Sequence, residues 1–240
     1  MKAMIFAAGL GTRLRPFTDN KPKALVEVAG KTLLQRAIEK VSGAGFEEIV
    51  VNIHHYGDQI IDFLEGNNNF GLDIQISDER DELLDTGGGI LKARPLLEGS
   101  EPFLVYNVDV LCSLDLKKLL RWHREHQALA TLVVRKRETA RYLLFDKEMQ
   151  LSGWTNIKTG EVKMARQTPE VGKFAFSGIH IIEPSVFPLI TETGKFPIIP
   201  MYLHLAAQNA IYGFEDTSDL WMDLGKLEQL KVAEEMLQNR

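Results

Sequence analysis

The sequence predicts an α/β fold, a mostly parallel β-sheet flanked by helices, with a smaller β-rich part after about residue 135. Three observations carry this reading. Short apolar segments of strand length alternate with amphipathic segments of helical period through the first half of the chain. Between about residues 141 and 182, strand-like segments follow one another through turns, without amphipathic helical segments between them. The composition, 45% hydrophobic and 25% charged over 240 residues, is that of a globular chain able to bury its own core. We read residues 1–240 as one domain, with a first part of about 1–135 and a second of about 136–240.

Residues 2–8, KAMIFAA, form the first strand. In residues 32–44 the side chains of Leu33, Leu34, Ala37, Ile38 and Val41 share one helical face, Thr32 is the N-cap, and Gly43 or Gly45 closes the helix. EEIVVNI is the next strand, and Tyr56 to Leu64 a helix with Ile60, Ile61 and Leu64 inward. LDIQISD alternates as a strand does, and residues 88–98 form a short helix. PFLVYNVDVL is a strongly apolar strand, LDLKKLLRWHREHQ an amphipathic helix and ATLVVRK another strand. The second part begins with the short strands RYLLFD, QLSGWTN and EVKMARQ. The strand AFSGIHII, a helical turn at EPSVFPLI, the helix PMYLHLAAQ, the strand NAIYGFE and the terminal helix KLEQLKVAEEMLQN follow. Strand–helix–strand repetition implies parallel strands covered on both faces, and ligands of such sheets lie beyond the carboxyl ends of the strands. The AAGLGTR loop and the NVD segment both fall there.

A net charge of −5 disfavours a nucleic-acid binder, and no apolar run is long enough to span a bilayer. The N-terminal apolar stretch runs into a glycine-rich basic loop with no cleavage-type segment, so it reads as a buried strand rather than a signal peptide. The single cysteine, Cys112, has no intrachain disulfide partner and reads as a small buried hydrophobe, and a cytoplasmic location is expected. Charge is unevenly spread. Lys2, Arg13, Arg15, Lys21 and Lys23 face only Asp19 within the first 23 residues, which suggests a small anionic ligand.

The strongest motif is FAAGLGTRLRPFTDNKPKAL, residues 6–25. It lacks the third glycine of the dinucleotide fingerprint, with Leu14 in that place, and it lacks the Gly-Lys-Ser/Thr ending of the P-loop. What remains is a tight glycine turn whose backbone N–H groups can approach phosphates, with Arg13 and Lys23 to neutralise them. Asp109 ends a buried apolar strand, a costly place for an acid unless it is paired or binds a cation; a turn aspartate is the alternative. Asp223 opens the last helix, where an acid can also cap backbone donors. The run of glycines in LLDTGGGI suits either a flexible turn or close approach to a flat ligand. His54 and His55 read as surface or core histidines, and Trp122, Met149 and Met164 as packing residues; Trp154 stacks on a ligand or packs.

The stretch AAGLGTRLRPFTDNKPKAL resembles the signature of the sugar-phosphate nucleotidylyltransferases, and the likeness extends from Met1 to the final helix. The resemblance implies a Rossmann-like, GT-A-like nucleotide-sugar fold with a β-rich sugar-binding part. It implies that Ala8 and Gly9 meet the base, that Gly11, Thr12 and Arg13 bind the triphosphate, and that Lys23 contacts the reacting phosphates. Arg13 and Lys23 are thus the catalytic candidates, and Arg15 holds the loop. Asp109 and Asp223 would bind Mg²⁺, Thr86, Gly87 and Gly88 would lie against base and ribose, and Asn107, Ser177 and Gly178 would meet the sugar. The implied substrates are an NTP and a sugar 1-phosphate, with no nucleic acid and no membrane, in a monomer or weak homodimer. Among short members, VNIHHYGDQI and DTGGGI are similar to those using UTP with N-acetylmuramate 1-phosphate; mannose-1-phosphate guanylyltransferases are the second resemblance. A Glu-Lys-Pro segment, whose lysine contacts the sugar phosphate in other branches, is absent, leaving Lys173 or Lys163 as candidates. A regulatory relative that binds without catalysis, and cytidylyl transfer to a phosphate such as phosphocholine, are the other readings.

Overall fold

A computed structural model describes residues 1–238. The first part begins with β1 (Lys2–Phe6), a loop with a 3-10 turn at Thr12–Leu14, and the small hairpin β2 (Glu27–Val28) and β3 (Lys31–Thr32). Then come α1 (Leu33–Ser42), β4 (Glu48–Ile53), α2 (Gly57–Gly66), β5 (Asp73–Asp78), α3 (Asp85–Lys92) and α4 (Arg94–Leu97). They are followed by β6 (Phe103–Asn107), β7 (Val110–Cys112), α5 (Leu116–Glu125) and β8 (Ala130–Arg135). The second part holds β9 (Arg141–Phe145), β10 (Leu151–Asn156), β11 (Glu161–Met164), β12 (Gly172–Ile182), α6 (Ile198–Ala206), β13 (Ile211–Glu215), β14 (Trp221–Asp223) and α7 (Leu227–Gln238). Asn239, the last residue of the expected terminal helix, lies outside the described residues.

Strands β6, β1, β4 and β5 pair in parallel in that order, joined by helical crossovers. Strand β12 enters antiparallel against β6 and carries the sheet onward, pairing also with β8 and β9. The main sheet is therefore mixed, parallel in the first part and joined through β12 to the β-rich part.

Alternation along the central strands sorts side chains into two cores. Ala3, Ile5, Leu104 and Tyr106 face one way, under α1, α2, α5 and α7. Met4, Phe103 and Val105 face the other, under Ile90 of α3, Leu97 of α4 and Ile198, Met201, Tyr202 and Leu205 of α6. Covered on both faces, these strands read as continuous apolar runs. Helix α1 starts as its sequence requires, with the Thr32 hydroxyl accepting from the Gln35 N–H at 3.0 Å. At α5, Asp115 plays the same part for Lys118 N–H at 3.0 Å, and these backbone donors hold the Asp115 carboxyl below its usual range. No helix among the described residues is long and apolar enough to cross a membrane.

Two expectations are corrected. The strand predicted over PFLVYNVDVL is broken at Val108–Asp109, and its far end, β7, leaves the main sheet to pair antiparallel with β14. The helix expected over 88–98 starts earlier, at Asp85, and takes the three glycines into its body.

Candidate active site

Beyond the carboxyl ends of β1, β4 and β6 lies a cleft of about 430 Å³ lined by Ala8, Gly9, Lys23, Asn52, Glu79, Thr86, Asn107 and Asp109, among others. It continues past Gly9 and Lys23 into a space of about 330 Å³ along Gly11, Thr12, Arg13 and Gly225. Past Asn107 and Asp109 it meets a smaller cavity of about 110 Å³, lined also by Arg137, Phe176, Ser177, Gly178, Trp221 and Asp223. Three chambers that share lining residues suit a ligand with a flat part, a polyanionic part and a polar acceptor part.

The 330 Å³ chamber is built on Gly11, whose φ of +63° belongs to the left-handed region that glycine occupies freely. Its carbonyl accepts from the Thr18 hydroxyl at 2.9 Å. A Cβ there would stand 2.9 Å from the Lys23 Cβ, so the loop packs directly on the lysine. The Lys23 ammonium is paired with the Asp109 carboxylate, both side chains mostly buried. The Arg13 guanidinium lies against Gly225, where a Cβ would come within 2.8 Å of Nη2. The turn that presents Gly9 and Gly11 thus also gathers Arg13, Lys23 and Asp109.

In the 430 Å³ cleft, Asn52 fixes the backbone after β1. Its Oδ1 accepts from the Ala7 and Ala8 N–H groups at 2.7 and 3.3 Å, and its Nδ2 donates to Glu79 Oε1 at 2.7 Å. Glu79 is fully buried and its Oε2 accepts from the Leu84 N–H at 3.2 Å. Asn52, Glu79 and Lys195 line the cleft but were not among the sequence candidates. Only Asn52 carried a sequence signal, a polar residue within the buried run EIVVNI.

The carboxylates of Asp109 and Asp223 are brought together by the β7–β14 ribbon. Asp223 pairs in register with Val110, and the Leu224 N–H donates to the Asp109 carbonyl at 2.8 Å. One Asp223 oxygen accepts from the Gly225 N–H at 2.8 Å. Two carboxylates opening on a phosphate-sized space fit a hard divalent ion that takes its remaining oxygens from substrate and water. Among the described residues no cluster of three or more acidic, histidine or cysteine side chains encloses a metal.

Strand β12 loses register between Phe176 and His180, and this irregularity turns Ser177 and Gly178 towards the small cavity. Gly178 has φ +76°, and a Cβ there would lie 2.7 Å from Asn107 Nδ2. The Ser177 hydroxyl is buried with no hydrogen-bond partner, and its carbonyl accepts from Trp221 Nε1 at 3.1 Å.

Two other expectations change. Thr86 lines the cleft, but Gly87 and Gly88 face protein. A Cβ at Gly87 would stand 2.3 Å from the Phe196 ring, and one at Gly88 2.3 Å from the Gly194 carbonyl, so these glycines let α3 pack closely on the segment before α6. Lys173 is exposed on β12, and Lys163 sits on the fully exposed β11 with its ammonium 3.1 Å from Glu161. Neither is among the residues lining the three chambers. Trp122 packs edge-on to Tyr212 and Phe214, as expected of a packing residue. His54 Nδ1 donates to the Glu79 carbonyl at 2.7 Å, while His55 is exposed.

Residues 2–240 match the family model described as nucleotidyl transferase. The chain is 35% identical to N-acetylmuramate alpha-1-phosphate uridylyltransferase of Neisseria meningitidis serogroup B, over 98% of this chain and 97% of the relative. It is 31% identical to mannose-1-phosphate guanyltransferase beta-A of Xenopus laevis, over 94% of this chain but only 61% of that longer relative. In fold it is similar to the crystal structure of HddC from Yersinia pseudotuberculosis, with a TM-score of 0.78 and 24% identity over 98% of this chain and 99% of that one.

Proposed function

The chain belongs to the nucleotidyl transferase family and is a sugar-1-phosphate nucleotidylyltransferase, and on that premise we propose that it transfers the uridylyl group of UTP to N-acetylmuramate 1-phosphate, with Mg²⁺. The observation that carries the specific reading is the likeness to an N-acetylmuramate alpha-1-phosphate uridylyltransferase along almost the whole of both chains. The likeness to a guanyltransferase spans little more than three-fifths of that protein. Guanylyl transfer to mannose 1-phosphate is the second reading on that ground.

In the proposed reaction a phosphate oxygen of the sugar phosphate forms a bond to the α-phosphorus of the nucleotide. The bond from that phosphorus to the bridging oxygen breaks, and pyrophosphate leaves with the electron pair. The attacking oxygen is already anionic at neutral pH, so no side chain removes a proton. Catalysis then consists of alignment and charge stabilisation.

Gly9, Gly11 and Thr12 offer the backbone along which the triphosphate lies. Arg13 draws charge onto the departing pyrophosphate. Lys23 neutralises the α-phosphate as the pentavalent arrangement forms, and its pairing with Asp109 keeps it in reach beforehand. Asp109 and Asp223 would hold Mg²⁺, which when bound lowers the charge repulsion among the phosphates. Asn52 and Glu79 keep the Ala7–Ala8 backbone set against the base.

The test is pyrophosphate release with UTP, GTP, dTTP and CTP, each crossed with N-acetylmuramate, mannose, glucose and N-acetylglucosamine 1-phosphates, and CTP with phosphocholine as a further arm. Dominant turnover with UTP and N-acetylmuramate 1-phosphate, lost on chelation by EDTA and restored by Mg²⁺, is expected. A dominant GTP and mannose 1-phosphate pair would replace the substrate. No release from any pair, with nucleotide still bound, would sink the reading in favour of a regulatory relative.

A further inference from the structure

Among the described residues, two buried side-chain polar atoms have no hydrogen-bond partner, Arg137 Nε and Ser177 Oγ. Both belong to residues lining the same 110 Å³ cavity beside Asp109 and Asp223. Buried donors are almost always satisfied, and leaving one unmet costs about 1–3 kcal/mol. Two such atoms at one cavity mark a place prepared for polar atoms that arrive from outside.

Arg137 is fixed there by its surroundings. Its Nη2 donates to the Phe176 carbonyl at 3.0 Å, and its guanidinium carbon stands 4.3 Å over the Trp221 ring. Trp221 is itself tied to the Ser177 carbonyl. The guanidinium plane is thus set by a ring below and a carbonyl at one edge, which leaves Nε to be met. Burial pushes its pKa down while Asp223 pulls it up, and an arginine stays charged under both influences.

The charges around the cavity explain why a cation is needed. Asp109 and Asp223 line it, and Arg137 is the one cationic residue in its lining. Lys23 already serves Asp109, and Arg13 stands by Gly225 near the Asp223 carboxylate without lining the cavity. A phosphomonoester entering this cavity meets two carboxylates, and positive charge on its own side, beside any ion those carboxylates hold, favours its approach.

We propose that Arg137 anchors the phosphate of the incoming sugar phosphate, donating from Nε to a phosphate oxygen beside the Ser177 hydroxyl. This rests on the sugar-1-phosphate acceptor argued above, but not on which sugar. Arg137 is then a substrate-binding residue that sets the attacking oxygen towards the nucleotide.

The experiment compares wild type, Arg137→Lys and Arg137→Met with the best substrate pair found for the wild type. Arg137→Met should raise the KM for the sugar phosphate by at least about tenfold while the KM for the nucleotide changes by less than about twofold. Arg137→Lys, a point charge without the fork, should recover part of that loss. Titration calorimetry of the sugar phosphate into protein saturated with a non-hydrolysable nucleotide analogue reads the same contact without turnover, and should show the same weakening. Unchanged sugar-phosphate affinity, with a lower Tm or a raised Mg²⁺ requirement instead, would make Arg137 a structural counter-ion of Asp223 and overturn the proposal. A loss confined to carboxylate-bearing sugars, with glucose 1-phosphate binding intact, would also overturn it, since the arginine would then be reading the sugar's carboxylate. A wild type that binds nucleotide but no sugar phosphate in either assay would refute the acceptor reading itself.

Discussion

Lys23 meets two demands with one side chain, since its Cβ bears the phosphate loop at Gly11 and its ammonium reaches Asp109. Lys23→Ala should lower kcat by at least about 100-fold in a protein whose far-UV circular dichroism and Tm are close to wild type. The glycines divide by what surrounds them. At Gly225 a methyl group would meet the ends of two side chains, Arg13 and Asp223, which can rotate aside. At Gly88 it would meet the backbone of Gly194, which cannot. Gly225→Ala should therefore fold with little loss of Tm but turn over at least about tenfold more slowly. Gly88→Ala should lose about 1–3 kcal/mol in urea unfolding while the folded fraction keeps its kcat. Sequence made Arg13, Lys23 and Asp109 legible because their types and positions are unusual for loops and strand ends. The same logic did not foresee that Gly87 and Gly88 pack on protein. A glycine announces close approach but not what approaches, and the answer lies more than 100 residues away at Gly194 and Phe196. Arg137 was not legible at all, because within RKRETAR it reads as one more solvated charge.

At the scale of elements, the site depends on the loop that carries the chain from β13 to β14. Arg135 at the end of β8 holds that loop by donating to Asp216 Oδ2 at 2.7 Å and to the Ser218 carbonyl at 2.8 Å. Asp216 is buried, so removing the arginine leaves an uncompensated carboxylate. Arg135→Met should cost about 3 kcal/mol in chemical denaturation, and should weaken Mg²⁺ activation because Asp223 hangs from the far side of that loop. Most elements were legible from periodicity, α1 down to its cap at Thr32. The break at Val108–Asp109 was not, since PFLVYNVDVL is apolar throughout and nothing local says that β7 will leave one sheet for a partner 110 residues later. The irregular register of β12 was hidden for the same reason, as strand pairing is set by neighbours rather than by the strand.

For the whole molecule, two buried histidines tie stability to pH. His180, bonded to the Tyr202 hydroxyl, is held down to about 3 by burial, and His123, against Thr131 and Glu183, is held down to about 4 by burial and then by Arg124. Both are neutral in the native state, while in the unfolded chain each protonates near 6.5. Below that value the unfolded state takes up protons the native state refuses, so stability falls as pH falls, down towards the native pKa values. Between pH 7.5 and 5.5 the unfolding free energy should drop by about 2–3 kcal/mol, measured by urea denaturation, and His180→Asn should flatten that slope. The α/β class and the two covered faces were legible because alternation and amphipathy are local. The mixed pairing through β12 was not, because it depends on which edge the second part of the chain finds.

The ribbon of β7 and β14 joins Asp109 to Asp223 across 114 positions of sequence. The proposed ion site is therefore a tertiary feature, absent until the two edges of the ribbon meet. A cut anywhere between them would divide its two carboxylates between separate fragments.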